Sequence, residues 1–490
     1  MSNVDGDVYV ESAGDDSEIV LRTQKVRIDG DVYCGSSSSS AGLSSRIDAL
    51  QPPKCLRPGG DKLQFDGTSW TCVCVGAYGG TTCETTWSAE ARIVNKTEDN
   101  GYSYSNSQSG HRVAAYGDEI LIGNGGSMRL PMILKRSPST GTWDAVWNLS
   151  ASYVWIDGTR DYTNLGASVS LSGDRAILGA PEVLSSNINS PGFAMIFERL
   201  AGSTATWSFI TKLVADDLDS SSYSSQHAFG YDVAISGEYA MVSTGRSNSP
   251  ASVYIFERDS TTTSWPQKAK LSSPVSSATN DNYGASIALD GNYAVVGASY
   301  DADLGDYSGA AYIYGRSASG TWEQVIKLTA YDGTLHDYFG YSVSLSGNYA
   351  LIGCYGDDES GSSSGSAYVY VRSIATGEWM LDAKLTASNG AANDQFGYSV
   401  AISGSRAFVG ASNKASSFGQ SGVAYLFERE QQSGTWKETA KLTDFEGSYN
   451  QFAAHVAISS AYAIGASQLT DYMSNNGHVY VIANFTHVAL

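Results

Sequence analysis

The sequence predicts an all-β protein whose main part is a seven-bladed β-propeller. A repeat of four short predicted strands recurs from Thr86 to the carboxyl end, and its two clearest copies run over residues 338–385 and 395–442. A tryptophan opens the fourth strand of each clear copy, and the last three such tryptophans are 57 residues apart. A repeat of this length, built from four antiparallel strands, is typical of propeller blades.

The copy over residues 338–385 shows the four predicted strands most clearly. In the first strand, the bulky Phe339, Tyr341, Val343 and Leu345 are expected on one face and small residues on the other, which suits face-to-face packing of buried sheets. The other three strands are predicted over residues 349–353, 367–372 and 379–385. Gly347 and Gly377 lie in the tight turns after the first and third strands.

The tryptophans indicate how many blades there are. Those predicted to open a fourth strand are Trp143, Trp207, Trp265, Trp322, Trp379 and Trp436. The last copy, over residues 452–483, lacks one, but residues 86–93 near the start resemble residues 435–442. We therefore expect the chain to begin with the outer strand of blade seven and to end with its three inner strands. This closure leaves no exposed sheet edge.

Composition argues against several kinds of partner. Charged residues make up only 16% of the chain, and the net charge is −20. Nucleic acids and anionic membranes require basic surface, so neither is expected as a partner. The sequence has no run of 18 apolar residues, so no membrane insertion is predicted. The residues after Met1 do not resemble a signal peptide, so either a signal outside this sequence or assembly into a virion would bring the protein to a surface.

The amino-terminal residues are predicted to form a stalk and a linker. Within the β stalk, residues 1–35, the motif over 4–10 returns over 28–34. Such short strands stack on copies of themselves, within a chain or between chains, and a disordered tail is the alternative. Residues 36–54 are predicted as a Ser-rich linker and a short helix, in which Leu43, Ile47 and Leu50 share one face. We expect residues 1–54 to support a homotrimer.

A cluster of cysteines follows the linker and indicates an oxidising compartment. Residues 55–84 resemble an epidermal-growth-factor-like (EGF-like) module, because Cys72, Cys74 and Cys83 have the spacing that ends such modules. The resemblance implies Cys55–Cys72 and Cys74–Cys83 disulfides. The first cysteine pair of the family is missing, which indicates a truncated module. Metal binding by these thiols is the alternative.

The propeller repeat resembles the FG-GAP repeats, best known from integrin α-subunits. Phe-Gly pairs at residues 229–230, 339–340 and 396–397 are each followed by a strand ending in a Gly-Ala-Ser-like triplet, as at residues 297–299 and 410–412. The resemblance covers residues 85–490 and implies a propeller fold. Integrins carry an acidic calcium loop between these two motifs, but a tight Ser-Gly turn stands there in this chain. Calcium binding at those positions is therefore not expected.

A different acidic loop is the candidate metal site. Asp301, Asp303 and Asp306 follow the second strand of blade four, and alternating carboxylates with a glycine are suited to Ca²⁺. A solvated acidic loop is the alternative. Calcium is the only cofactor that the sequence suggests.

One face of the ring is the candidate binding surface. The loops before each first strand and those between the second and third strands should lie together around the central channel, where propellers usually bind ligands. The candidate residues on this face are Asp281, His336, Asp337, Asp357, Asp358 and Asp394. Capping of turns by aspartate is the alternative.

Two further sets of residues have weaker implications. Asn95, Asn148 and Asn484 are N-glycosylation acceptors if the chain is secreted. Cys34 and Cys354 have no assigned role.

The sequence contains neither a Gly-x-Ser-x-Gly elbow nor a phosphate-binding loop. His111 and His455 are expected at equivalent places in blades one and seven, which favours a packing role. We predict a non-enzymatic adhesion or recognition protein, exposed on an extracellular or cell surface, that binds a protein or glycan ligand. A virion spike or fibre, and a lyase or hydrolase acting in the central channel, are the alternatives.

Overall fold

The computed structural model describes the chain in segments. These are residues 112–123, 131–139, 142–149, 164–181, 191–200, 202, 206–218, 228–245, 251–274, 281–416, 419–420, 422–443, 451–467 and 478–482, with the short strand segments 3–4, 7–9, 25–27, 61–65, 70–74, 91–94, 155–156 and 159–160. The chain divides into two compact units, Met1–Ser88 and Ala89–Leu490. The described residues contain no helix, and none of them forms a helical segment that could cross a membrane.

The first unit contains one five-stranded sheet in the order β1-β2-β3-β4-β5. Its strands are β1 (Asn3–Val4), β2 (Asp7–Tyr9), β3 (Lys25–Arg27), β4 (Asp61–Phe65) and β5 (Trp70–Cys74). Strand β3 pairs with β4, so the sheet joins the predicted stalk to the EGF-like segment. The predicted helix over residues 43–50 and the predicted disulfides lie outside the described residues and side chains, as do the side chains of the three glycosylation acceptors.

The second unit is an all-β propeller. Its strands in blades one to three are β7 (Val113–Tyr116), β8 (Glu119–Ile122), β9 (Met132–Arg136), β10 (Trp143–Asn148), β13 (Ser168–Ser172), β14 (Arg175–Ala180), β15 (Phe193–Arg199), β16 (Trp207–Leu213), β17 (Val233–Ser236), β18 (Tyr239–Ser243), β19 (Ser252–Glu257) and β20 (Gln267–Ser272). A hairpin, β11 (Trp155–Ile156) and β12 (Thr159–Arg160), separates the first two.

Blades four to six continue in the same order. Their strands are β21 (Tyr283–Asp290), β22 (Tyr293–Ala298), β23 (Ala310–Arg316), β24 (Trp322–Leu328), β25 (Val343–Ser346), β26 (Tyr349–Cys354), β27 (Ser366–Arg372), β28 (Trp379–Leu385), β29 (Phe396–Ser403), β30 (Arg406–Ala411), β33 (Val423–Arg429) and β34 (Trp436–Thr443). The hairpin of β31 (Ala415–Ser416) and β32 (Gly419–Gln420) is inserted in blade six. These six blades each use four strands in sequence order.

The last four-stranded sheet closes the ring. It is formed by β35 (Phe452–Ile458), β36 (Ala463–Ser467), β37 (His478–Ile482) and β6 (Ala91–Val94), and β37 pairs antiparallel with β6. An apolar cluster joins this sheet to blade one, with Ile120 and Ile464 both fully buried in it. The Ser459 hydroxyl also donates to the Gly117 carbonyl at 2.8 Å. Pairing between the two ends of the propeller segment is the closure that the sequence predicts.

The repeated glycines position each blade against the next. A Cβ added to Gly353 would collide with the Gly397 carbonyl, and one added to Gly397 would collide with the Ser366 carbonyl. Gly397 also has a φ of +89°, which a side chain disfavours. The Phe-Gly motif of one blade therefore packs on the Gly-Ala triplet and the third strand of the preceding blade. This contact explains why both motifs recur together.

The predicted alternation of the first strand is wrong at one position. Phe339, Val343 and Leu345 are buried in the apolar cluster between blades as expected, but Tyr341 is only half-buried and contacts Tyr355 and Tyr398 instead. A register shift of the same strand in blade six, between Phe396 and Ser399, shows the reason. The Phe-Gly bulge adds residues to the inner strand and so changes the face on which the next side chain lies.

The small residues of the inner strands are also hydrogen-bonding groups. The Ser342 hydroxyl accepts a hydrogen bond from Val400 N at 3.0 Å, and the Ser344 hydroxyl accepts one from Ile402 N at 3.1 Å. Inner strands of neighbouring blades are too far apart to form a backbone ladder, and these hydroxyls satisfy the exposed amides. Serine recurs here for hydrogen bonding as well as for size.

Five of the six predicted tryptophans open a fourth strand. Trp265 is the exception, because β20 begins two residues later, at Gln267. Pro266 has no amide hydrogen and cannot donate to the ladder at that point, although its carbonyl accepts from Glu257 N at 3.2 Å. Trp265 is nevertheless buried in the same kind of apolar cluster as the others.

Candidate functional site

The carboxylates of the predicted calcium loop contact a lysine. Lys327 Nζ lies 2.8 Å from Asp301 Oδ2 and 2.5 Å from Asp303 Oδ2, and the Tyr312 hydroxyl donates to Asp301 at 3.0 Å. Burial opposes the charged ammonium, but the hydrogen bonds to both aspartates outweigh it and raise the pKa of Lys327. Asp306 contributes its backbone carbonyl, which accepts from His336 N. A Ca²⁺ ion at this predicted site would have to displace the ammonium.

The same arrangement occurs in the acidic loop of blade five. Lys384 Nζ contacts Asp332 at 2.7 Å, Asp357 at 3.0 Å and Glu359 at 2.5 Å. It also lies 5.4 Å from the centroid of the Tyr368 ring, within range of a cation–π contact. Lys270, Lys327 and Lys441 each lie over the cross-strand tyrosine of their own blade in the same way. The Lys-Leu pair that ends these fourth strands was the sequence signal for this feature.

Four of the six candidate face residues are buried within the scaffold. Asp337 accepts from Thr334 N at 2.6 Å and from the Thr334 hydroxyl at 3.0 Å, and so closes the loop before its strand. Asp394 does the same with Ala391 N at 2.7 Å and also pairs with Lys414. In blade four, Asp281 accepts from Tyr283 N at 3.1 Å.

The fourth buried residue, Asp357, pairs with Lys384. Cys354 lies beside it as a buried free thiol whose Sγ donates to the Asp337 carbonyl at 3.3 Å. Burial raises the pKa of this thiol, so it stays protonated. His336 and Asp358 are exposed, as a binding face requires.

The residues on either side of Asp337 have left-handed backbone conformations. His336 and Tyr338, which flank Asp337, have φ values of +66° and +57°. Left-handed backbone costs a bulky residue about 1–3 kcal/mol and persists where surrounding contacts impose it. Here, His336 N donates to Asp306 O and Tyr338 N donates to Tyr307 O, both at 2.9 Å. These backbone bonds, together with the contacts of the Asp337 carboxylate with Thr334, fix the loop that carries His336 and Tyr338.

These loops assemble an aromatic surface that the sequence analysis did not identify. We name it the tyrosine belt, and its members are Tyr300, Tyr307, His336, Tyr338, Tyr341, Tyr355 and Tyr398. The belt spans blades four, five and six on the face formed by the second-to-third-strand loops. A signal was present, because tyrosine follows or precedes several of the repeat motifs, but only the fold brings the rings together.

Ring contacts run through the belt without a gap. Tyr338 stacks on Tyr355 with centroids 4.8 Å apart and planes 6° apart. Tyr355 contacts Tyr341 at 4.6 Å, and Tyr341 contacts Tyr398 at 5.0 Å. At the outer end, Tyr307 is 41% exposed and stacks on His336. The belt therefore extends from exposed loops to the channel lining.

The channel itself is a cavity of about 530 Å³ lined by the inner strands of all the blades. Six of the seven residues found at one inner-strand position line this cavity, and Ser168 is the exception. This ring position is the residue immediately before the first inner-strand Val or Ile. Its carbonyl accepts from the second strand in blades one, three and five alike. From blade one to blade seven this position holds Arg112, Ser168, Asp232, Ser286, Ser342, Ser399 and His455.

Three ionisable residues thus converge where the other blades carry serine. Arg112, Asp232 and His455 all line the channel. His111 lies outside the described residues, so its expected equivalence with His455 stays a prediction.

Asp232 keeps the structural role of Ser286 and Ser342, each of which accepts from an amide of the next blade. Its Oδ2 accepts from Ile287 N of the next blade at 2.9 Å, and its Oδ1 accepts from Val233 N at 3.0 Å. Burial raises its pKa to about 6, although the Arg112 charge and the two backbone hydrogen bonds act in the opposite direction. The carboxylate is thus held in the channel at an electrostatic cost.

Replacing Asp232 with serine should stabilise the protein only at neutral and higher pH. The folded-state pKa is about 6 and the reference value is 3.8, so the folded state binds the proton more tightly. Stability of the parent therefore falls as pH rises through this interval, by up to about 3 kcal/mol. The Asp232→Ser variant has no carboxyl group at this position, so its stability should not show this fall with pH. Urea unfolding at pH 3.5 and pH 8 measures it, and a difference between variant and parent that does not change with pH would contradict the prediction.

Part of the chain matches a known repeat family. Residues 265–314, 322–370 and 379–427 match the FG-GAP repeat family, and each match begins at one of the repeat tryptophans and continues into the next blade. These are FG-GAP repeats. The resemblance predicted from the Phe-Gly and Gly-Ala motifs is confirmed.

Two solved structures are similar to the chain at low identity. The periplasmic gluconolactonase PpgL of Pseudomonas aeruginosa is 13% identical, with a TM-score of 0.44, over 78% of this chain and 91% of that chain. The WD40 repeats of RRP9 are 10% identical, with a TM-score of 0.45, over 81% of this chain and 98% of that chain. No curated protein matches the chain.

Proposed function

We propose that this FG-GAP propeller is a non-enzymatic recognition protein that binds a protein or glycan ligand through the tyrosine belt. The continuous contact between seven aromatic rings on one face carries the proposal. Tyrosine presents a large rigid surface with a polar hydroxyl at low entropic cost, which is why it is enriched where proteins bind ligands. The buried aspartates that fix the surrounding loops give the belt a preformed geometry.

An extracellular location is a further part of the proposal. FG-GAP repeats are typical of extracellular proteins, and the net charge of −20 opposes binding to anionic surfaces. Exposure at a cell or virion surface, and multivalency through residues 1–54, are parts of the same proposal. Several propellers that each bind weakly would gain avidity when an oligomeric stalk joins them.

Removing the central aromatic ring of Tyr338 should weaken ligand binding. Tyr338→Ala breaks the stack with Tyr355 and is expected to weaken binding at least ten-fold on arrays of glycans and of cell-surface proteins probed with the full chain. The control is Ile374→Ala. Ile374 is 83% exposed in the turn between β27 and β28, on the opposite face. Equal binding by Tyr338→Ala and the parent would exclude the belt as the ligand site. Repeating the assay with EDTA tests the predicted calcium site.

A hydrolase or lyase acting in the channel is the second candidate. The observation that favours it is the convergence of Arg112, Asp232 and His455, with Asp232 at a pKa suited to a general base. Recovery of the bound ligand separates the two functions. Chemically unchanged ligand supports recognition, whereas conversion that Asp232→Ser abolishes would establish an enzyme.

A further inference from the structure

We propose that the ligand is a neutral carbohydrate, and that its terminal sugar residue enters the central channel between Arg112 and Asp232. The inference rests on the proposed recognition function and names its ligand class and its second contact. The belt would hold the outer residues of the glycan, and the channel would hold the end.

The ring of serines shows that ionisable groups are not needed to build the channel. Ser286 accepts from Val343 N and Ser342 accepts from Val400 N, both at 3.0 Å. Asp232 performs this task for Ile287 N with one carboxylate oxygen. A serine would satisfy the same amide without placing a charge in the channel. Asp232 therefore serves a purpose other than blade packing.

The chemistry of the ring matches sugar hydroxyls. A carboxylate accepts two hydrogen bonds and a guanidinium donates several in one plane, so that vicinal hydroxyls can bridge them. The Arg112 charge acts on Asp232, both residues line the channel, and the two charges together are neutral. A neutral ligand with both donors and acceptors fits this pair better than an anion does. The acidic chain as a whole also disfavours polyanions.

Tyrosines form the wall beside these groups. Tyr231, Tyr341 and Tyr398 each come immediately before a ring position and line the channel. Burial, and then the neighbouring Tyr398, raise the pKa of Tyr341, so its hydroxyl remains a hydrogen-bond donor. An aromatic face beside planar polar groups suits a sugar ring, which has an apolar C–H face and a polar rim.

Size and continuity agree with entry of a chain end. The cavity of about 530 Å³ lies within the range of about 300–1,000 Å³ for small-molecule sites. Tyr341 contacts both Tyr355 of the loops and Tyr398 of the channel. A ligand lying on the belt therefore meets the channel without crossing a gap between rings.

Saturation-transfer NMR of the full chain with neutral methyl glycosides tests the inference. The probes are the methyl glycosides of glucose, galactose, mannose, fucose and N-acetylglucosamine. At least one should bind saturably, and both Asp232→Ser and Arg112→Ser should weaken it at least ten-fold. The matched control is Asp290→Ser, with binding expected to stay within two-fold of the parent.

Asp290 makes the same kind of contact away from the channel. Its Oδ2 accepts from Gly347 N of the next blade at 2.6 Å, at a position where Ser346 serves Gly404 N. The control thus repeats the Asp-to-Ser exchange at the other end of the inner strands. Glycoside binding that is equal in Asp232→Ser and the parent would overturn the channel assignment, while loss in Tyr338→Ala would leave the proposed function intact. Belt-dependent binding to protein alone would overturn the carbohydrate class.

Discussion

Gly397→Ala is expected to lower the free energy of unfolding by about 3 kcal/mol, the sum of a left-handed backbone penalty and overpacking. Gly397 has a φ of +89°, and a methyl group there would collide with the Ser366 carbonyl and lie 3.0 Å from Cys354 N. Both neighbours are backbone of the preceding blade and cannot rotate away. The effect should therefore exceed that of most single substitutions in this chain.

Gly404→Ala separates the two contributions. Gly404 has a similar φ of +58°, but no atom lies within 4 Å of the position its Cβ would take. We expect a loss of about 1 kcal/mol, from the backbone alone. Denaturant unfolding of both variants provides the measurement. Equal losses would mean that the Phe-Gly motif does not hold neighbouring blades together.

Trp379→Ala is expected to cost about 3–5 kcal/mol, as for other buried large aromatics. Trp379 is 6% exposed and packs within the cluster between blades four and five, where its ring meets Tyr293 edge-on with centroids 6.0 Å apart. Truncation would leave a cavity between two rigid sheets, which cannot collapse to fill it. A shift in the urea midpoint without a change in slope would report this loss.

The corresponding phenylalanine variants provide the control. Within the described residues, Trp379 Nε1 has no hydrogen-bond partner, whereas Trp436 Nε1 donates to Asp382 at 2.8 Å. Trp379→Phe should therefore be milder than Trp436→Phe, which removes the indole donor and leaves the Asp382 carboxylate with Arg429 alone. The reverse order would show that packing volume, not the indole hydrogen bond, distinguishes the two sites.

Much of the fold could be predicted because the same pattern of strands and turns recurs in several copies of the repeat. The fourth strand Trp379–Leu385 was predicted without error, and the second and third strands of that blade were each one residue short. Local alternation and Gly turns set these elements. The bulge at the Phe-Gly motif was missed, because it depends on contact with the preceding blade.

The site was less accessible from the sequence. Asp301 and Asp303 were identified as an acidic pair, but Lys327, which contacts both, lies 24 residues or more further along the chain. Similarly, the candidate Asp337 proved to be a buried loop cap. Carboxylates are easy to find in a sequence, whereas their partners are set by strand pairing.

The sequence by itself determined the four-stranded repeat, the FG-GAP motifs and the pairing of the first propeller strand with the last. These follow from short-range periodicity and from self-similarity along the chain. Only the tertiary structure decided that Arg112, Asp232 and His455 share one channel, and that tyrosines from three blades form one belt. Closure into a ring brings together residues from distant repeats. The repeat pattern does not indicate which of the residues that differ between copies will lie side by side in the folded ring.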